Sequence, residues 1–209
     1  MSVLIGKKAP SFVAGAIIDG GKDATINLAD YLGKEEIVLF FYPKDFTYVC
    51  PTELYAFQER LSDFESRGVK VFGISTDTAE THWAWLNTPK NKGGIEGITY
   101  PLIADVDKTI SMKYGVLGGD FFYNDNDELA FEGDAIAFRG TFFIDKEGIV
   151  RHQYVNFFPL GRNIDDTLRI VDAWQHFKAH GEVCPANWSK GDDAMKENHE
   201  GVADYLSKH

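Results

Sequence analysis

The run Ile37-Val38-Leu39-Phe40-Phe41-Tyr42 constrains the chain more than any other feature. An unbroken apolar segment of this length suits a strand covered on both faces, since a half-exposed strand would alternate apolar with polar residues. A breaker-rich stretch, Pro43 to Pro51, follows directly, and Pro51 is well tolerated at the first position of a helix. Leu54, Phe57, Leu61 and Phe64 then recur at three- and four-residue spacing, which predicts one helix with a single apolar face, closed by Gly68. Val69 to Ser75 reads as the next strand. Strand, helix, strand in this order is a parallel βαβ unit, and it places the chain among α/β folds.

The remaining elements extend that pattern. Phe12 to Ile18 and Pro101 to Ala104 read as strands, and Thr78 to Leu86 and Thr109 to Tyr114 as helices. Ile136 to Ile144 and Ile149 to Val155 flank Asp145-Lys146-Glu147-Gly148, which is a hairpin signal. Asn163 to Lys178 carries Ile164, Leu168, Val171 and Trp174 on one side, as an amphipathic helix does. The stretch 118–134, with Asn124-Asp125-Asn126-Asp127-Glu128 at its centre, predicts an exposed excursion. Beyond Gly181 aliphatic residues thin out. The expected organisation is therefore one domain over 1–180 and a C-terminal tail over 181–209.

Composition removes several function classes. Among 209 residues, 16 Phe, 9 Tyr and 4 Trp supply enough surface for a core, which excludes intrinsic disorder. The net charge of −11, with basic residues scattered, leaves no positive stripe for nucleic acid. No apolar run reaches the ~20 residues of a membrane span, and the first residues lack the apolar core of a signal peptide. A cytoplasmic protein is expected, with no nucleic acid and no membrane among its partners.

Two cysteines, Cys50 and Cys184, are too few for a disulfide scaffold and too far apart for a CxxC motif. They are inert core thiols or reactive ones. Cys50 precedes a helix-starting proline, and backbone N–H groups at a helix N-terminus favour a thiolate. Thr47 lies three residues earlier and can point its hydroxyl into the same turn. Arg139, set within Ile136-Ala137-Phe138 and Gly140-Thr141-Phe142, is costly to bury unless its charge is used. Taken singly, each has a plainer role: a packed thiol, a cap, a strand-end ion pair. Taken together, Pro43-x-x-x-Thr47-x-x-Cys50-Pro51 is a much narrower constellation.

With these residues in place, the chain resembles the peroxiredoxins of the typical two-cysteine class, which includes the peroxidase component of alkyl hydroperoxide reductase. Three segments carry the resemblance, in order: Phe41 to Glu53, Phe138 to Asp145 and His180 to Trp188. It covers nearly the whole chain. The resemblance implies a thioredoxin-like fold with a central mixed β-sheet flanked by helices and a C-terminal extension. It also implies a thiol peroxidase acting on hydrogen peroxide and small organic hydroperoxides, with no cofactor and no metal. By the same resemblance Cys50 is the peroxidatic nucleophile that becomes a sulfenic acid. Thr47 and Arg139 hold the peroxide and the thiolate, Pro43 shields the pocket, and Glu53 orients the arginine. Cys184 is the resolving cysteine, paired with Cys50 of a partner subunit. Implied partners are thioredoxin or a flavoprotein disulfide reductase as electron donor, and a second copy in a homodimer, with a decamer of five dimers common in the family.

Other readings carry less. A holdase chaperone or peroxide-signalling role of the oligomer is the main alternative, and a thioredoxin-like oxidoreductase is disfavoured by the missing CxxC. Gly93-Gly94-Ile95-Glu96-Gly97 and Tyr205-Leu206 half match the elements of easily over-oxidised members, which implies intermediate sensitivity. The excursion at 118–134 is longer than the resemblance implies. His176, His180 and Cys184 fall at four-residue steps, but Gly181 and Pro185 argue against one continuous helix face for a metal.

Overall fold

The computed structural model describes residues 3–209. Its main sheet uses seven strands: β1 (Val13–Ile18), β2 (Lys22–Asn27), β3 (Glu36–Phe41), β4 (Val69–Ser75), β5 (Leu102–Ala104), β8 (Arg139–Ile144) and β9 (Val150–Asn156). They lie in the order β2-β1-β5-β4-β3-β8-β9. The pairs β3–β4 and β4–β5 are parallel, while β1–β2, β1–β5, β3–β8 and β8–β9 are antiparallel, so the sheet is mixed. Helices α1 (Cys50–Glu59), α2 (Leu61–Ser66) and α3 (Ala79–Leu86) connect its parallel strands, and α4 (Thr109–Lys113) follows β5.

The central position of β3 explains its sequence. Every residue of it is buried. Ile37, Leu39 and Phe41 point into one core, with Phe72, Ile74, Phe142 and Ile144. Phe40 points the other way and stacks on Phe57 of α1, ring centroids 4.0 Å apart. A pair of this kind contributes about 0.5–1.5 kcal/mol beyond its buried area. The same stacking fixes α1 against the sheet and so fixes where the helix starts.

Three expectations are corrected. The helix read as continuous from Pro51 to Gly68 breaks at Arg60, whose φ of −102° and ψ of 5° leave the helical range, giving α1 and α2. The run Ile136–Ile144 is two strands: β7 (Leu129–Ala137) ends before Phe138, and β8 begins at Arg139. At the break Phe138 N–H donates to Val116 C=O at 2.7 Å, so the chain leaves one sheet and enters another. The excursion at 118–134 is exposed as expected but ordered, formed by β6 (Leu117–Tyr123) paired antiparallel with β7. Strand β2 was not anticipated, because Lys22-Asp23-Ala24-Thr25-Ile26-Asn27 is polar and mostly solvent-facing at the sheet edge.

The chain forms two compact units, one ending at Arg162 and one running from Asn163 to His209. The second contains α5 (Ile164–His180), the short strands β10 (Glu182–Val183) and β11 (Met195–Lys196), and α6 (His199–Lys208). Asn163 caps α5 by accepting from Asp165 N–H, and Gly181 closes it at φ +68°. That left-handed residue ends the helix before Cys184, so His176, His180 and Cys184 do not share one helix face. No helix among the described residues is long and apolar enough to cross a membrane.

Candidate active site

Strand β3 delivers the chain to a tightly tied turn. Tyr42 N–H continues the sheet by donating to Ile74 C=O, and Pro43 follows as a buried residue. Asp45 N–H donates to Asp77, and the Asp45 carboxylate accepts from Tyr42 O–H at 2.8 Å and lies 2.7 Å from His82 Nδ1. Phe46 next adopts φ +53°, an unfavourable region for a bulky residue, and these ties hold it there. Thr47 Oγ1–H donates back to Lys44 C=O at 2.8 Å. Cys50 is then the first residue of α1 rather than the residue before it, with Pro51 second. Its sulfur is fully buried among the described residues.

Two other segments meet Cys50 there. Arg139, at the start of β8, donates from Nη1 toward Cys50 Sγ at 3.5 Å and to Glu53 Oε2 at 2.5 Å. Its Nε donates to Phe158 C=O at 2.6 Å, which fixes the guanidinium plane. Glu53, one turn into α1, is buried by the geometry of an apolar helix face. It would be strongly destabilising there without cations. Arg162 supplies a second one: its backbone N–H and Nε donate to Glu53 Oε1 at 3.0 and 2.9 Å, and Nη2 donates to Oε2 at 2.8 Å. Two guanidiniums against one carboxylate leave one positive charge, and Cys50 Sγ faces it.

Known proteins resemble this chain in sequence and in fold. Residues 5–153 match the AhpC/TSA family, and residues 173–208 match the C-terminal domain of 1-Cys peroxiredoxin. The chain belongs to the AhpC/TSA family. Alkyl hydroperoxide reductase C of Helicobacter pylori (strain ATCC 700392 / 26695) is 49% identical, covering 99% of this chain and 98% of its own. Peroxiredoxin-2 of Mus musculus is 47% identical, covering 98% and 96%. Among solved structures, the reduced 2-Cys peroxiredoxin of Plasmodium vivax superposes with a TM-score of 0.89 at 42% identity, covering 99% of this chain and all of that one. The fold is thioredoxin-like, and the enzyme is a peroxiredoxin, a thiol peroxidase.

In this peroxiredoxin Arg139 meets Cys50 and ties Glu53 to the same place, while Pro43 and Thr47 lie in the turn before Cys50, with the Thr47 hydroxyl on Lys44 C=O. Arg162 was missed. It anchors three strand-end acceptors from Nη1, namely Phe41 C=O, Gly140 C=O and Thr141 Oγ1, and lies over the Phe40 ring at 5.0 Å. In sequence it stands between Gly161 and Asn163, whose loop-forming character does not mark it as buried. The signal lay elsewhere: Glu53 on the packed side of a helix demands cationic partners, and its two oxygens have room for more than Arg139.

Cys184 sits in the second unit, half-buried, with its sulfur 3.6 Å from Ala173 C=O, and both cysteines are free thiols. Burial pushes the Cys184 thiol up, Arg169 draws it back, and Glu182 adds to the upward push. His176 Nε2 lies 3.2 Å from Glu182 Oε2.

Proposed function

We propose that this peroxiredoxin reduces hydrogen peroxide and small organic hydroperoxides through Cys50 and Cys184. The observation that carries the reading is the buried Arg139–Glu53–Arg162 cluster with Cys50 Sγ on its uncompensated positive side. A thiolate there balances the charge, and low dielectric strengthens the attraction.

The step is a displacement at oxygen. The Cys50 thiolate attacks the outer peroxide oxygen, an S–O bond forms and the O–O bond breaks. The leaving hydroxide or alkoxide takes a proton to become water or alcohol. Sulfur is oxidised to the sulfenic acid and the peroxide is reduced. Arg139 and Thr47 hold the peroxide and stabilise charge on the departing oxygen, Pro43 keeps water out, and Glu53 with Arg162 keeps Arg139 oriented. The Cys184 thiol of a partner subunit then attacks the sulfenic sulfur, forming an intersubunit disulfide and releasing water. Thioredoxin or a flavoprotein disulfide reductase returns both thiols.

On this reading residues 1–180 carry the peroxidase domain and residues 181–209 the resolving tail of a cytoplasmic homodimer, assembled further into a decamer of five dimers. The raised Cys184 thiol supports the division of labour, because a protonated resolving thiol does not compete for peroxide. Over-oxidation of Cys50 is intermediate: Gly93-Gly94-Ile95-Glu96-Gly97 is held by Trp85 Nε1–H on Gly93 C=O and Tyr55 O–H on Glu96 C=O, which steadies the surroundings of α1.

Peroxide stoichiometry tests the assignment. Cys184→Ser, without added reductant, consumes one peroxide per chain and leaves a sulfenic acid that a dimedone probe labels at Cys50. Cys50→Ser consumes none. Peroxide loss in Cys50→Ser, or dimedone labelling at Cys184 in the wild type, would overturn it.

A further inference from the structure

The ribbon of β6 and β7 takes no part in the chemistry above, and it pairs with no third strand among the described residues. Its register sets Phe121 opposite Phe131 and Tyr123 opposite Leu129, so these four side chains share one face. The other face carries Asp120 opposite Glu132, with exposed Phe122 opposite Ala130 beside them. Phe121 and Phe131 meet edge to face at 4.9 Å, yet Phe121 is 49%, Leu129 62% and Tyr123 71% exposed. A two-stranded ribbon is marginal in water by itself, and an apolar strip of this kind on a soluble protein marks an interaction surface.

Charge decides what fits it. Between Leu117 and Ala137 there are six acidic residues, Asp120, Asp125, Asp127, Glu128, Glu132 and Asp134, and no lysine or arginine. A second copy would bring like charge onto like charge, the device that keeps strand edges from self-association. Nucleic acid and anionic lipid are repelled for the same reason. A cationic surface with an apolar centre is complementary in both respects.

The base of the ribbon is seated close to the active site. A side chain at Gly118 would meet Asp134 C=O at 2.9 Å and the Phe158 ring at 3.1 Å, so the backbone lies directly against Phe158. Phe158 C=O is the acceptor that fixes Arg139 Nε. A partner held on the ribbon is therefore brought to the segment that anchors the arginine.

We propose that the β6–β7 ribbon is a docking arm for a protein partner that presents lysine and arginine side chains around an apolar centre, bound along Phe121, Tyr123, Leu129 and Phe131. The test uses the reduced full-length protein and a dye-labelled peptide alternating lysine with valine and phenylalanine, followed by fluorescence anisotropy. Wild type is compared with Phe121→Ser/Tyr123→Ser and with Asp125→Asn/Glu128→Gln, each shown by circular dichroism to keep its fold. Binding is expected to weaken by about tenfold in both double variants, as for loss of central anchors and of steering charge. Peroxide consumption with dithiothreitol is expected to be unchanged in both, so failure of the docking claim and failure of the peroxidase claim are distinguishable. Equal binding by Phe121→Ser/Tyr123→Ser means that charge alone attracts the peptide, and that overturns the proposal. Undiminished binding by Asp125→Asn/Glu128→Gln overturns the charge complementarity. A wild-type assembly that Phe121→Ser/Tyr123→Ser dissolves, seen by sedimentation, assigns the face to a second copy and overturns it as well.

Discussion

At the scale of single residues, one buried carboxylate holds the site together. Glu53 accepts four hydrogen bonds from two arginines, so removing its charge leaves two buried guanidiniums without their carboxylate. Glu53→Gln is expected to lose about 3–5 kcal/mol of stability in urea denaturation, the range for breaking a buried pair. Its Cys50 oxidation should slow as well, because Arg139 loses the partner that aims Nη1. A wild-type urea midpoint would show that the cluster contributes nothing. Cys184 gives a second prediction. Because burial raises its thiol, alkylation by iodoacetamide in the Cys50→Ser background should require a higher pH than alkylation of a free cysteine. A midpoint at or below the free-thiol value contradicts this. Cys50, before a helix-starting proline, and Arg139, within an apolar run, were legible from their local settings, Thr47 from its spacing to Cys50, and Glu53 only through the family resemblance. Arg162 was not, since nothing beside it in sequence shows that it is buried.

At the scale of elements, the strands nearest the site tolerate little. A Cβ at Gly140 would stand 2.7 Å from Val116 Cγ1 and 3.1 Å from the Phe142 ring, both in the core. Gly140→Ala is expected to cost about 1–3 kcal/mol, as overpacking does. Shifting β8 also moves Arg139, so a slower Cys50 oxidation should accompany the stability loss, and an unchanged rate would show that the strand position does not govern the arginine. Helix α4 offers a pH test. Asp105 accepts from Ile110 N–H, Ser111 N–H and Ser111 O–H, yet burial dominates and raises its carboxyl above the ordinary range. The folded state then holds the proton more tightly than the unfolded chain. Its contribution is full below the ordinary carboxyl value of ~3.9 and is lost as pH rises through the raised folded value. Asp105→Asn should lower the melting temperature overall and flatten its decline above pH ~4. A variant as steep as wild type would contradict the direction. The buried strand β3 and the amphipathic α5 were legible because their patterns are strong. The split at Arg60 and the change of sheet at Phe138 were not, because apolar spacing continues across both breaks and only backbone geometry marks them.

At the scale of the whole molecule, the parallel unit β3–α1–β4 sets Cys50 at a helix start, and the antiparallel addition of β8 brings Arg139 across to meet it. In the proposed mechanism the chemistry depends on the meeting of a helix start and a strand start that are 89 positions apart in sequence. The family resemblance made this arrangement readable in advance, whereas the β6–β7 ribbon, with no counterpart in that resemblance, had to be found in the structure. The central claim is that Cys50 is oxidised and that Cys184 of another subunit resolves it. Stopped-flow tryptophan fluorescence on reduced protein mixed with hydrogen peroxide, followed by non-reducing electrophoresis, tests both halves in wild type, Cys50→Ser and Cys184→Ser. A rapid phase lost only in Cys50→Ser, and a disulfide-linked dimer formed only by the wild type, are the expected results. A rapid phase surviving in Cys50→Ser, or a wild-type disulfide confined to monomers, would contradict that claim.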